Sequence, residues 1–180
     1  MVWVRSEYAG ELAVVFTWLS ALVPWNVTYS PDIGGGSALF VRFPFVQVRY
    51  VWGVDVPQPI RTTVPVPGWL LPGVFPPDFS ALVFQEGHTI LLAYQVWAVG
   101  AAVLAVAVAF SVVYYLREER VEAMAVDPVR LLGVLLATAG VVLGVATYLL
   151  ATRGFPEVPI PLGVLFLLGF GVVLLTAERA

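Results

Sequence analysis

The sequence predicts an all-α integral membrane protein: four transmembrane helices, with a small extracellular β-containing cap between the first and second. Three observations carry this expectation. Hydrophobic residues make up 60% of the 180 residues and charged residues 12%, against about 45–50% and about 25% in a soluble domain. Four long runs are nearly free of charge. Between the first two lies "RFPFVQVRYVWG", Arg42 to Gly53, which carries two arginines and a proline among β-formers.

A membrane helix needs about 20 mostly apolar residues, each rising about 1.5 Å through a core of about 30 Å. The first run is Ala9 to Trp25, with Glu11 near its start and Pro24 at its end. Ser6 is placed to cap it and Glu7 to favour its positive end. Arg5 before an apolar stretch also fits a signal peptide. Glu11 and the lack of a small-x-small cleavage site favour a retained span. The second run, Thr89 to Leu116, contains no charge, and Tyr114 and Tyr115 suit an interfacial belt. Val129 to Ala151 and Pro159 to Ala177 are the third and fourth. The chain divides accordingly into 1–25 (first helix), 26–88 (cap), 89–116 (second helix), 117–128 (cytoplasmic loop), 129–151 (third helix), 152–158 (short extracellular loop) and 159–180 (fourth helix).

Four spans put both termini on one side, with Arg5, Arg117, Arg120, Arg130 and Arg179. Arg42, Arg49, Arg61 and Arg153 fall on the other. Arginines in short loops set orientation. The loop Arg117 to Arg130 holds three and the opposite short loop one, so the termini are expected in the cytoplasm of a multi-pass cell-membrane protein.

In the cap, Arg42 to Gly53 cannot be a membrane helix, and a lone strand cannot cross lipid because its backbone groups would go unpaired. It reads as external strand structure after a flexible "GGGS", Gly34 to Ser37. Pro44, without an N–H, marks an edge strand, a bulge or a break between two strands. The following prolines exclude a long helix. Trp69, Leu70, Leu71, Val74 and Phe75 are expected to rest on the membrane surface or the strands, and Asp78 near the start of a short helix.

"VWVRSEYAGELAV" at the start, "RFPFVQVRYVWG" and "AYQVWAVGA", Ala93 to Ala101, together resemble a family of uncharacterised haloarchaeal multi-pass membrane proteins, a domain-of-unknown-function family with members encoded near HtrA-type serine proteases. The resemblance covers the first two runs and the cap. It implies a membrane location and no catalytic or binding residue. The absence of lysine, with abundant Val, Ala and Gly, agrees with a GC-rich, halophilic source.

Candidate chemistry is sparse. His88, the only histidine, stands beside Glu86 at the mouth of the second run, and one histidine makes a poor metal site. Glu11 lies close enough to a helix start to reach the headgroups. Gln95, about two turns below His88, is expected to contact Thr17 or Ser20 of the first helix, an intramembrane polar contact of about 0.6–2 kcal/mol. Gly133, Ala137, Gly140 and Gly144 form a small-residue stripe, and Ala98, Ala102, Ala105 and Ala109 another. Such stripes either hold the bundle together or join two copies. Asn26 opens the sequon "NVT", an expected glycosylation site. With no cysteine, thiolate metal sites are excluded. The net charge of −3 disfavours nucleic acid. No P-loop, His-Glu-x-x-His or Gly-x-Ser-x-Gly is present. The expected function is a non-enzymatic interaction or accessory subunit without cofactor, its partners the bilayer and either a protein or further copies of itself. The alternative is a small oligomeric transporter or channel, with Gln95, Thr138 and Thr147 facing a shared lumen.

Overall fold

Pro24 stops the first helix, and that stop decides how the rest is assembled. A computed structural model describes residues 8–67, 79–122, 126–154 and 157–177. Helix α1 spans Ala9–Leu22, and its C-cap Val23 is already extended. The chain leads directly into strand β1 (Asn26–Ile33), followed by β2 (Gly36–Arg42), β3 (Gln47–Trp52) and β4 (Ile60–Thr63). These form an antiparallel sheet in the order β1-β2-β3-β4. A four-residue helix α2 (Ala81–Phe84) leads to α3 (Leu91–Leu116), α4 (Glu118–Glu122), α5 (Pro128–Thr152) and α6 (Leu162–Thr176).

This corrects the all-α, four-span expectation. Among the described residues the chain is mixed, with six helices and a four-stranded sheet. Among the described residues, only α3 and α5 are long and apolar enough to cross a membrane. At about 1.5 Å per residue they reach about 39 and about 38 Å, whereas the 14 residues of α1 and the 15 of α6 reach about 21 and about 22 Å. The apolar runs overestimated these two helices because part of each run is extended chain. Val27 and Ile160 exchange backbone hydrogen bonds of 3.0 and 2.9 Å, so the segment before α6 joins the sheet edge.

Helices α5 and α6 pack antiparallel, Gly133 meeting Leu174 and Gly144 meeting Val164. Asp127 caps α5 by accepting from the Val129 N–H at 2.9 Å, with Pro128 in the first turn, where its missing N–H costs nothing. The small-residue stripe is the face of α5 that meets α6. A Cβ on Gly133 would stand 3.0 Å from Leu174, and one on Gly171 would stand 2.9 Å from the Ala137 backbone. Phe16 of α1 stacks on Phe170 of α6 with ring centroids 4.3 Å apart. The Trp18 indole donates to the buried Ser111 hydroxyl of α3 at 3.0 Å. Gly100 lets α3 close on Leu143 of α5. The outward faces of α3 and α5 remain apolar, with Val99, Val106 and Val113 on one and Val134, Val141 and Tyr148 on the other. A helix apolar on all sides suits a buried or lipid setting rather than water.

The stretch from Arg42 to Gly53 holds the last residue of β2, a loop and the whole of β3. Pro44 lies in the loop between β2 and β3, which the Phe43 N–H closes onto the Val46 carbonyl at 2.8 Å. The expected flexible "GGGS" is instead ordered. Gly34 and Gly35 take positive φ of 64° and 88° in a two-residue hairpin turn, while Gly36 and Ser37 are already strand. The anticipated short helix is α2, capped by Ser80, whose hydroxyl accepts from Leu82 N–H at 3.2 Å. Trp69, Leu70, Leu71, Val74, Phe75 and Asp78 lie outside the described residues, as do Arg5, Ser6, Glu7 and Arg179.

Candidate functional site

Strand alternation sends Asn26, Thr28 and Ser30 of β1 to one face, with Phe40 and Arg42 of β2, Gln47 and Arg49 of β3, and Arg61 and Thr63 of β4. The register aligns them as Asn26–Arg42–Gln47–Thr63 and Thr28–Phe40–Arg49–Arg61. This polar face is the one turned toward α2 and α3. The usual antiparallel sheet buries its apolar face and wets the polar one. Here the sense is reversed.

Burying these groups requires partners, and the structure supplies them. Arg42 has no solvent exposure. Its Nε donates to Gln47 Oε1 at 2.9 Å, and its Nη1 to Asn26 Oδ1 at 2.9 Å and Thr28 Oγ1 at 3.0 Å. Its Nη2 reaches the Tyr94 hydroxyl at 3.4 Å, and that hydroxyl donates to Gln47 Oε1 at 3.1 Å. The guanidinium also lies 5.3 Å from the Phe40 ring centre and 5.9 Å from that of Tyr94. One side chain thus joins β1, β2 and β3 to α3. Next to it, the Trp97 indole donates to the Pro44 carbonyl at 2.9 Å, and Trp25 packs on Trp97 with centroids 5.9 Å apart.

Beyond this network the face opens into a cavity of about 330 Å³ between the sheet, α2 and α3. Gln47, Arg49, Arg61, Thr63, Phe84 and Tyr94 are among its walls. The Arg61 guanidinium stands 3.9 Å over the Phe84 ring. A smaller pocket of about 130 Å³ at the other end of the bundle includes Glu11, Tyr114 and Glu118.

The opposite face of the sheet carries Tyr29, Leu39, Tyr50 and Ile60 in one cross-strand row, with Trp52 beside it. Tyr29, Tyr50, Trp52 and Ile60 are 37–58% exposed. Trp52 stacks on Tyr29 with centroids 5.9 Å apart and leans on Tyr50 at 5.3 Å.

The residues singled out from the sequence fall elsewhere. Asn26 is completely buried, its Oδ1 bound to Arg42 and Thr28 and its Nδ2 enclosed. The sequon expected to carry a glycan thus has its Nδ2 enclosed in the folded chain. Thr17 is buried and donates to the Ala13 carbonyl of its own helix at 2.7 Å. The Ser20 hydroxyl is buried without a hydrogen-bond partner, and Gln95 is exposed. The proposed contact of Gln95 with Thr17 or Ser20 is therefore absent. The Ala102, Ala105 and Ala109 stripe faces outward, away from the bundle. His88 is exposed in the turn before α3. Among the described residues no three His, Asp or Glu side chains converge as metal ligands do.

Sequence reasoning missed Arg42, Asn26, Gln47 and Tyr94 as one cluster. The available signal was the phase of polar residues along β1 to β3, which matches once the hairpins are paired. No curated protein matches the chain. A family model covers residues 2–179. The chain therefore belongs to DUF7549, a family of unknown function.

Proposed function

We propose that this protein is a membrane-anchored, non-enzymatic accessory protein that presents the outer face of its sheet to a protein partner. The observation carrying this reading is the exposed row of Tyr29, Tyr50, Trp52 and Ile60 on the face turned away from α2 and α3. Tyr and Trp are the residues that anchor protein interfaces, where they bury large rigid area at small entropic cost. The polar side chains that would ordinarily keep such a face in water are committed on the other side.

In this reading α3 and α5 cross the bilayer as a hairpin of a multi-pass protein in the cell membrane. The turn bearing Arg117, Arg120 and Arg130 lies in the cytoplasm and the sheet outside, as the distribution of arginine favours. An arginine-only basic set supports a haloarchaeal source. Because the chain has no cysteine, single cysteines replacing Asp55 and Glu119 are clean reporters. An impermeant maleimide applied to sealed, right-side-out vesicles is expected to label the first and not the second. Labelling of both, or release of the folded chain by alkaline carbonate, overturns the placement.

The oligomeric channel, the second reading, keeps two of its three lumen positions and loses one. Thr147 is turned into the bundle and donates to the Leu143 carbonyl at 3.0 Å, while Gln95 and Thr138 are exposed. The partner reading is tested by mild-detergent extraction of tagged chain from its native membrane. A defined stoichiometric protein is expected to co-purify, and to be lost in a Tyr29→Ser, Trp52→Ser variant whose melting is unchanged. A chain that runs alone, or a partner retained by that variant, contradicts it.

A further inference from the structure

Charge is sorted between the two faces of the sheet. All three arginines of the strands, Arg42, Arg49 and Arg61, lie on the face toward α2 and α3, the first in the buried network and the other two on the cavity wall. The outer positions of β2, β3 and β4 alternate with these, and they are apolar or aromatic apart from Ser37 and Thr62. The outer face of those strands therefore carries aromatic rings and no cation.

Two carboxylates stand at the end of the sheet where Trp52 lies. Asp32 precedes the hairpin turn of β1 and β2. Ser37 is the register partner of Trp52 and donates to the Pro31 carbonyl at 3.0 Å, which brings the end of β1 alongside the strand of the indole. Asp55 follows β3 by three residues, beyond a turn at Gly53, where φ is 83°. Both acids are exposed, and neither forms an ion pair among the described residues. An aromatic ring attracts a cation to its face, and a carboxylate nearby adds to that attraction. An anionic membrane surface is repelled by the same two acids, and a purely apolar partner makes no use of them.

We propose that the partner received by the outer face presents a basic segment, with an arginine laid on the Tyr29 and Trp52 rings and paired with Asp32 or Asp55. This rests on the reading of that face as a partner surface and names the chemistry that it selects. Arginine suits the place better than lysine, because its planar guanidinium both stacks on an aromatic face and pairs with a carboxylate through two parallel hydrogen bonds. Tyr29 and Trp52 already stack with an angle of 18° between their planes, so the platform is formed before the partner arrives. The arginines of the strands do not compete for it, since they are held on the other side of the sheet.

The test uses the full chain in neutral maltoside detergent at low salt. The probe is a dye-labelled Arg-Gly repeat peptide, its binding read by fluorescence anisotropy, and the same peptide with citrulline for arginine is the neutral control. Saturable binding of the arginine peptide, and none of the citrulline peptide at the same concentrations, is the expected result. Trp52→Ser, and separately Asp32→Asn combined with Asp55→Asn, are each expected to weaken binding by about threefold or more. Glu86→Gln combined with Glu119→Gln removes the same charge from exposed positions elsewhere and is expected to leave binding unchanged. Equal binding of the two peptides, undiminished binding by the Trp52 variant, or equal weakening by the two pairs of acid substitutions overturns the proposal. Co-purification from the native membrane separates it from the reading beneath it. A partner lost from the Tyr29→Ser, Trp52→Ser variant but retained by the Asp32→Asn, Asp55→Asn variant upholds the partner face and overturns the basic segment. A chain that runs alone overturns the partner face, and the peptide titration then decides the preference for a cation by itself.

Discussion

Arg42→Met is expected to lower stability by about 3–5 kcal/mol, the cost of removing one member of a buried charged cluster. Methionine fills much of the arginine stem's volume, so the loss comes from the groups left behind. Asn26 Oδ1, Gln47 Oε1 and the Thr28 and Tyr94 hydroxyls all lose the same donor, in a place water does not reach. Each buried unsatisfied atom costs about 1–3 kcal/mol, and the shared loss is smaller than their sum because Tyr94 still donates to Gln47. Arg42→Lys is expected to be intermediate: one ammonium cannot reproduce the fork that reaches β1, β3 and α3 together. Making the cluster apolar as a unit, with Arg42→Met, Asn26→Leu and Gln47→Leu combined, should recover much of the loss. The measurement is the denaturation midpoint in detergent, read by tryptophan fluorescence. An Arg42→Met midpoint equal to that of the native chain would show that the cluster contributes nothing to the fold.

The same cluster shows where the sequence is legible and where it is not. The long helices are readable because α3 and α5 carry no charge over 26 and 25 residues except Arg130 in the first turn of α5. Strand structure from Arg42 to Gly53 is readable from its β-branched and aromatic residues, and Pro44 marks the break between strands. What a single strand cannot disclose is which of its faces is inside. Arginine at 42 and 49 and the sequon at Asn26 read as surface by solvation cost alone. For Arg42 that cost is met by Asn26 and Thr28 of β1, by Gln47 of β3 and by Tyr94, which lies 52 residues beyond it and meets it only through tertiary packing. Likewise, the apolar count over Ala9 to Trp25 and Pro159 to Ala177 cannot separate helix from extended chain. The difference lies in Pro24 and in the pairing of Ile160 with Val27. The cavity was illegible for the same reason: Arg49 and Arg61 are 12 positions apart, and only the hairpin register sets them face to face.

Gly163→Val is expected to be the most damaging single change in the helical layer. Gly163 opens α6 by donating to the Pro24 carbonyl at 3.1 Å, so the helix start rests on the elbow between α1 and β1. A Cβ there would stand 2.7 Å from both the Pro24 carbonyl oxygen and the Trp25 Cα. These are backbone atoms, which cannot rotate away as a side-chain tip can. Trp25 itself is fully buried against Trp97, so the elbow has no room to retreat. Overpacking a close-packed interior typically costs about 1–3 kcal/mol, and a backbone contact of this kind falls at or above the upper end. The control is Gly169→Val, on the same helix, where an added Cβ meets nothing within 4 Å and the effect is expected to be small. Beyond lost stability, displacement of the elbow should break the Val27–Ile160 pairing, because both partners lie within three residues of the clash. Hydrogen exchange at the Val27 and Ile160 amides reads that directly. Fast exchange in Gly163→Val with slow exchange in Gly169→Val is the expected pattern. Equal protection in the two would mean that sheet and bundle are joined chiefly through Arg42 and Tyr94, with α6 an independent buttress.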